Sequence, residues 1–327
     1  MNVRRFHMKQ ILGCACACFL LVITAPSPIR AQSSESDAAG WEKAAGGKMS
    51  FEVASVKENK SGVSASNRPT SNIPLDTQNL YAPTGGLFSA TNFPLLEYMR
   101  FAYKLTPEQS QALYSQVPWA NTNRWDIQGR ASGNPTKDQM RLMMQTLLAD
   151  RFKLALHFET RQLPVFALVL NKTGKLGPQL RPHADDPPCS TAPPPPTSAA
   201  GFQSTDAGGF PELCGGFLPL QPTAPGRFRA GARDVPMAMF AMLFSSPLTG
   251  VDRPILDRTG LTGKFDLIIE FAPQPKLTQA PDASSQSADT GSTFLEALKD
   301  QLGLKLESTT GPVDTLVIDH IEEPSPN

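Results

Sequence analysis

The sequence predicts an α+β fold made of two related units in tandem, each running strand-helix-strand-helix-strand-strand with its helices packed on small mixed sheets. Three observations carry this. The stretch Thr136 to Leu170 is largely written again as Thr293 to Ile318. Leu148, Asp150, Phe152, Leu154 and Leu156 fall on Leu298, Asp300, Leu302, Leu304 and Leu306 at a constant offset, and Val165, Leu168 and Val169 fall on Val313, Leu316 and Val317 after a turn two residues shorter. A repeat on this scale constrains the architecture before any local reading does. The second observation is a change of period inside each copy, from helical to alternating. The third is that the echo extends upstream: Phe88-Ser-Ala matches Phe228-Arg-Ala, Phe93-Pro-Leu matches Val235-Pro-Met, and Trp125-Asp-Ile matches Phe265-Asp-Leu.

Within each copy the elements follow from residue chemistry. Thr136 with Gln139, and Thr293 with Glu296, fit a capping box, in which a hydroxyl and a later side chain satisfy amides at a helix start. Met140, Met143, Met144, Leu147 and Leu148 then recur on one helical face, and Leu295, Leu298 and Leu302 form the shorter stripe of the second copy. Period two takes over at once. Leu154, Leu156 and Phe158 alternate with Ala155, His157 and Glu159, and Leu304 and Leu306 alternate with Lys305 and Glu307. Each such strand is expected to turn and pair with the apolar run that follows it as a hairpin.

Taken in order, residues 1–31 read as a signal peptide. Arg4, Arg5 and Lys9 precede the apolar run Ile11 to Ala25, which Pro26-Ser27-Pro28 ends before a small-residue cleavage region. A membrane-spanning helix needs about 20 apolar residues, so cleavage and export to the periplasm or beyond are expected, with no stable membrane insertion afterwards. Residues 32–49 are polar and expected to be disordered. The first unit spans 50–182 and opens on the strand-like Phe51 to Lys57. A turn-rich surface loop over Asn59 to Asn79 comes next, then the strand at Gly85 to Ala90, the helix after Asn92-Phe93-Pro94 and the strand Trp125 to Arg130. A Pro-rich linker occupies 183–222, with Pro193 to Pro196 at its centre. The second unit spans 223–327 and carries a low-complexity insert at 273–292.

Charge and cysteine content set the function classes. Lys plus Arg and Asp plus Glu both number 30 in 327 residues, which argues against a nucleic-acid partner, whose footprint is a basic excess. Cys14, Cys16 and Cys18 leave with the signal peptide, so the mature chain keeps Cys189 and Cys214, and an even pair in an exported protein points to a disulfide. Closing a loop of roughly 25 residues is worth on the order of 3 kcal/mol in the loop-entropy model.

A catalytic constellation is not evident. His157 reads as a solvated strand residue, His183 borders the linker, and His320 stands beside Asp319. There is no H-E-x-x-H, no Gly-x-Ser-x-Gly elbow, no phosphate loop and no dinucleotide fingerprint, so no catalytic residue, metal or cofactor is assigned. Asp126 and Asp266 hold equivalent places and alternate with apolar neighbours, which makes them outward-facing strand residues. The loop Asp252 to Gly260 is the densest polar cluster, with Asp257 and Arg258 the candidate partner-binding pair.

The combined text Phe51-Glu-Val-Ala-Ser-Val-Lys, Leu148-Ala-Asp-Arg-Phe-Lys-Leu, Glu159-Thr-Arg-Gln-Leu-Pro-Val, Leu256-Asp-Arg-Thr-Gly-Leu-Thr-Gly-Lys-Phe-Asp and Gln301-Leu-Gly-Leu-Lys-Leu-Glu-Ser resembles a large family of acidobacterial exported proteins of unknown function. Some members of that family are joined to membrane metallopeptidases of the antibiotic-sensor type, a segment this sequence lacks. Each unit is also similar to the short domain at the N-termini of secretins and TonB-dependent transporters, which implies protein–protein contacts in the periplasm. The expectation is a non-catalytic exported binding or sensing module whose partner is an envelope protein or peptide. It would act through exposed strand edges or the Asp257-Arg258 loop. An envelope hydrolase with its site between the two units is the alternative.

Overall fold

A computed structural model describes residues 35–65, 67–185, 188–190, 204–245, 247–273 and 292–324. The signal peptide, the four consecutive prolines and nearly all of the 273–292 insert lie outside the described residues. The fold is α+β, as the sequence predicts. An antiparallel sheet forms from β1 (Val53–Glu58), β4 (Arg124–Arg130), β3 (Leu87–Pro94) and β2 (Thr70–Ser71), in that spatial order. Against it pack α2 (Leu95–Tyr103), α3 (Pro107–Gln116), the short α4 (Trp119–Thr122) and α5 (Lys137–Phe152). A second antiparallel sheet has the order β6 (Leu180–Pro182), β10 (Phe265–Phe271), β8 (Phe228–Val235), β7 (Gly216–Pro219). It carries α6 (Met237–Phe244) and α7 (Phe294–Ala297), the latter continued by a π-helical turn at Leu298–Leu302. Strands β1 to β4 thus sit in the first sheet as β6, β7, β8 and β10 sit in the second.

The local signals work as read. Thr136 and Gln139, and Thr293 and Glu296, make both bonds of the capping box. Met140, Met144, Leu147 and Leu148 face the core. The stripe of the second copy differs: Phe294, Ala297, Leu298 and Leu302 are buried while Leu295 is exposed, because the π turn holds an extra residue and rotates the face. Both helices end on a left-handed residue, Lys153 (φ 53°) and Gly303 (φ 70°). At the second only glycine fits, since a Cβ there would meet the backbone nitrogen of Gly177 at 2.5 Å.

The expected hairpins do not form. Ala155–Leu170 is one strand, β5, and Leu304–His320 is another, β11, and they pair antiparallel with each other from Leu304↔Leu170 to His320↔Ala155. Strand β9 (Ile255–Asp257) adds parallel to the other edge of β5. Pro164 and Pro312, which resemble turn residues, do not interrupt the ladder. The Phe166 amide donates to Pro254 O on the β9 side, and the Asp314 and Leu316 carbonyls accept side chains on the outer side of β11. Even-numbered residues therefore turn their backbone polar groups away from the β5–β11 seam. Both prolines lie at even positions, where a missing N–H breaks no bond in that seam.

The consequence is an exchange of strands between cores. Leu154 and Leu316 belong to the core of the first sheet, with Leu156 and Ile318 packed against it. Leu168 and Leu304 belong to the core of the second. Each long strand begins in one core and ends in the other, and the described residues fall into one compact unit.

Strand pairing and packing cross the limits drawn from the sequence. Strand β6 precedes the expected limit of the first unit at 182 yet pairs with β10, and β7 lies inside the expected linker 183–222. The described part of that linker is a covering layer: Phe210 and Leu220 pack on Ile268 of β10, and the predicted Cys189–Cys214 disulfide is present with its Cα atoms 5.4 Å apart. The 32–49 segment holds a helix, α1 (Glu35–Ala44), and the 59–79 loop buries Ile73 and Leu75.

Candidate functional site

Among the described residues three gatherings of polar side chains include a buried or partly buried ionisable group of interest, and two of them are structural. Asp266 is not outward-facing but fully buried. It accepts bonds from His183 Nδ1 (2.6 Å), the Arg181 Nε (3.2 Å) and the Asp234 amide (3.2 Å), with Arg233 at 3.8 Å. Asp234 has φ 57° and lies at a bulge in β8. Asp126 does the same for Asn92 (φ 63°) at a bulge in β3, accepting its amide at 2.8 Å and the Asn59 side chain at 2.8 Å. The matched aspartates therefore fix matched left-handed bulge residues. The His183–Asp266 pair has no hydroxyl or thiol bonded to it among the described residues.

In the second place, Lys137 and Arg141 are buried on α5. Lys137 Nζ lies 2.6 Å from Asp76 Oδ1, and burial pushes its ammonium down to about 8 against the pull of that carboxylate. Arg141 donates to the Asp76 and Gln78 carbonyls at 2.9 and 2.7 Å and also pairs with Asp138. These cations tie the 76–80 segment to the helix. The other two histidines among the described residues are at the surface: His157 bonds to Asp319 (3.0 Å) and Glu159, and His320 to Glu322.

The third place is a groove of about 340 Å³ where the two cores meet. Its floor comes from the shared sheet, with Phe158 of β5, Leu256 of β9 and Val313 of β11, and its walls from α1, α3 and α6. Local sequence sets this geometry. Lys104, at φ 50°, ends α2, and a capping box of Thr106 and Gln109 with Pro107 at the first helical position starts α3 two residues later. Gln109 Oε1 accepts the Thr106 amide, and its Nε2 donates to the Asp314 carbonyl at 2.7 Å. Gln116 donates to Leu316 O and accepts the Ile318 amide. Glutamine side chains of α3 thus cover the edge of β11 as β9 covers that of β5, and this part of the expected exposed edge is closed.

The electrostatics of the groove are those of a partly dry site. Burial raises the Glu108 carboxyl above its usual range, partly offset by bonds from its own amide and from the Thr106 and Ser245 hydroxyls. Burial also raises the Tyr103 phenol, with the charge of Glu42 adding to it. Burial lowers the Lys104 ammonium, opposed by Asp138 at 2.7 Å.

Of the predicted pair, Asp257 lines this groove and Arg258 is exposed outside it. Asp257 Oδ1 accepts the Thr259 amide (2.9 Å) and hydroxyl (2.8 Å), so it also builds its own turn. Glu108 went unrecognised in the sequence. Its signal was a third capping box, Thr106 to Gln109, which marks a helix start but not what faces it.

Among the described residues no group of three or more His, Cys, Asp or Glu is placed to hold a metal ion, and no helix is long and apolar enough to cross a membrane. Comparison with curated proteins and with solved structures gave no match for this chain. A family model described as a protein of unknown function, DUF3738, matches residues 96–321, and the chain belongs to that family.

Proposed function

We propose that the protein is a non-catalytic binding or sensing module of the cell envelope that holds its ligand in the groove between the two cores. The groove itself carries this reading. Its lining is mainly apolar, it draws on both halves of the chain, and its volume of about 340 Å³ falls in the range of small-ligand sites. The basic and apolar N-terminal sequence supports export, as does a disulfide, which persists in oxidising compartments. The matching sheet orders support a duplicated building block, and the likeness of each unit to the short secretin and transporter domain supports an interaction role.

A hydrolase with its site between the units would place its chemistry in the same groove. Two hydroxyls reach Glu108, and both oxygens are already engaged by backbone amides: Ser245 accepts the Ile255 amide at 2.9 Å and Thr106 accepts the Gln109 amide at 3.2 Å.

The test uses Nile red, a neutral apolar dye. Its emission is expected to rise and shift to the blue on binding the wild-type chain and to stay unchanged with Ala238→Trp, which fills the groove from an exposed position on α6. No emission change with the wild type, or an equal change with the variant, would overturn the reading.

A further inference from the structure

The chain as a whole carries equal numbers of acidic and basic residues, but the groove does not. Four carboxylates line it, Glu42 on α1, Glu108 on α3, Asp257 after Ile255 on β9 and Asp314 on β11, against one cation, Lys104. That cation is already used: its Nζ lies 2.7 Å from Asp138 and 4.5 Å from the centre of the Trp41 ring. The four carboxylates accept only uncharged donors where their partners are known. Glu42 accepts from the Gln145 side chain, Asp257 from Thr259, and Asp314 from the Thr160 hydroxyl. None of the four has a lysine, arginine or histidine within ion-pair distance among the described residues.

Such an arrangement disfavours two kinds of occupant on simple grounds. An anionic lipid or acidic peptide would bring like charge into a site where screening by water is weak, and there repulsion is strong. A neutral apolar ligand such as the dye can enter on the apolar floor, but it leaves the carboxylates it covers unneutralised, which costs free energy and makes it displaceable. A bare inorganic cation or polyamine, conversely, would leave Phe158, Met242, Leu256 and Val313 wet. What fits both is an apolar body carrying positive charge.

The carboxylates stand on four separate elements around the groove, so a single ammonium head would meet only a part of them. We propose that the occupant is a basic, aliphatic peptide segment, with at least two lysine or arginine side chains directed to the carboxylate rim and aliphatic side chains between them on the shared-sheet floor. This deepens the binding reading given above and rests on it.

The test is displacement of Nile red from the full chain by capped peptides of the sequence Lys-Leu-Val-Lys, by the same peptides with Gln or Glu in place of both Lys, and by dodecyltrimethylammonium. The Lys peptide is expected to displace at a concentration about tenfold or more below the Gln form, with the Glu form inactive. The advantage is expected to shrink as salt rises, because exposed parts of the rim are screened. In a Glu108→Gln, Asp257→Asn, Asp314→Asn variant the Lys and Gln peptides should become equal, each read against that variant's own dye affinity. Asparagine keeps the acceptor that each aspartate uses locally, so the turn and the Thr160 bond survive.

Equal displacement by the Lys and Gln forms of the wild-type chain would overturn the proposal while leaving the apolar site in place. Displacement by dodecyltrimethylammonium alone would overturn it in favour of a cationic amphiphile. Absence of dye binding from the start would remove the site itself and the proposal with it.

Discussion

The two antiparallel sheets share a strand order but live in different surroundings. Strand β4 of the first reads Arg-Trp-Asp-Ile-Gln-Gly-Arg and alternates in burial through its core-facing Trp125 and Ile127. Strand β10 of the second reads Phe-Asp-Leu-Ile-Ile-Glu-Phe and is buried at every position but Glu270. The difference is the covering layer around Phe210 and Leu220, held by the Cys189–Cys214 bridge, which shields the outer face of β10. The same structural task, holding a left-handed bulge residue with an aspartate, is therefore met by neutral partners at half-buried Asp126 and by cations at fully buried Asp266. A carboxylate that loses its water needs positive charge in return.

The sharpest way to break that comparison is to neutralise each aspartate. Asp266→Asn removes the buried charge that faces Arg233 and Arg181, with Arg233 keeping Asp206 at 3.5 Å, and should cost about 3–5 kcal/mol of unfolding free energy, the range for a broken buried pair. Asp126→Asn keeps an acceptor among neutral donors and should cost about 1 kcal/mol. Urea denaturation of the two variants measures the contrast, and equal losses would show that the second sheet is no drier than the first.

Leu316→Ala tests the exchange of strands. Its side chain is fully buried in the first core although its strand begins in the second, and its loss should cost about 3 kcal/mol. Protection from hydrogen exchange should fall in both sheets, whereas a loss confined to one would mean the cores are not coupled. Smaller still is removal of the disulfide. Cys189→Ser with Cys214→Ser should cost on the order of 2–3 kcal/mol through the unfolded chain, and amide exchange should quicken first at 210–214 and then at β10, with β4 the last to respond.

The smallest effect concerns Glu108. Its carboxyl is held above the ordinary 4.5, so just above that pH the folded chain keeps a proton that the unfolded chain has lost. Stability therefore falls as pH rises from 4.5 through the raised folded value. Glu108→Gln should remove this fall, making the variant the more stable protein near neutrality, with no such advantage in acid below 4.5. Urea midpoints measured across that window check the sign.

Local order was legible in the residues, and partnership was not. The capping boxes at Thr136 and Thr293, the alternation of Leu154 with Leu156, and the cysteine pair each report a short-range constraint, and each appears as read. Period two states which face of a strand is buried and says nothing of which strand lies beside it. Hence the long pairing of β5 with β11 resembled two hairpins. Pro164 and Pro312 reinforced that error, since only the parity of the pairing shows that their nitrogens face outward. Asp266 was misread for a related reason. Its alternation with Phe265 and Leu267 looked solvated, but the unbroken Leu267-Ile268-Ile269 run that follows is the mark of a strand covered on both faces. The groove escaped the sequence altogether, because its carboxylates come from four elements far apart in the chain and are joined only by the crossing of the two long strands.

That crossing is also what a single experiment reaches most directly. Hydrogen exchange of the full chain, followed by mass spectrometry across a series of urea concentrations, reports Leu87–Pro94 and Arg124–Arg130 of the first sheet separately from Phe228–Val235 and Phe265–Phe271 of the second. If β5 and β11 lock both cores into one unit, all four segments should lose protection at one shared midpoint. Two midpoints, with one sheet still protected after the other has opened, would contradict the interlocked fold and with it a groove built jointly by both halves.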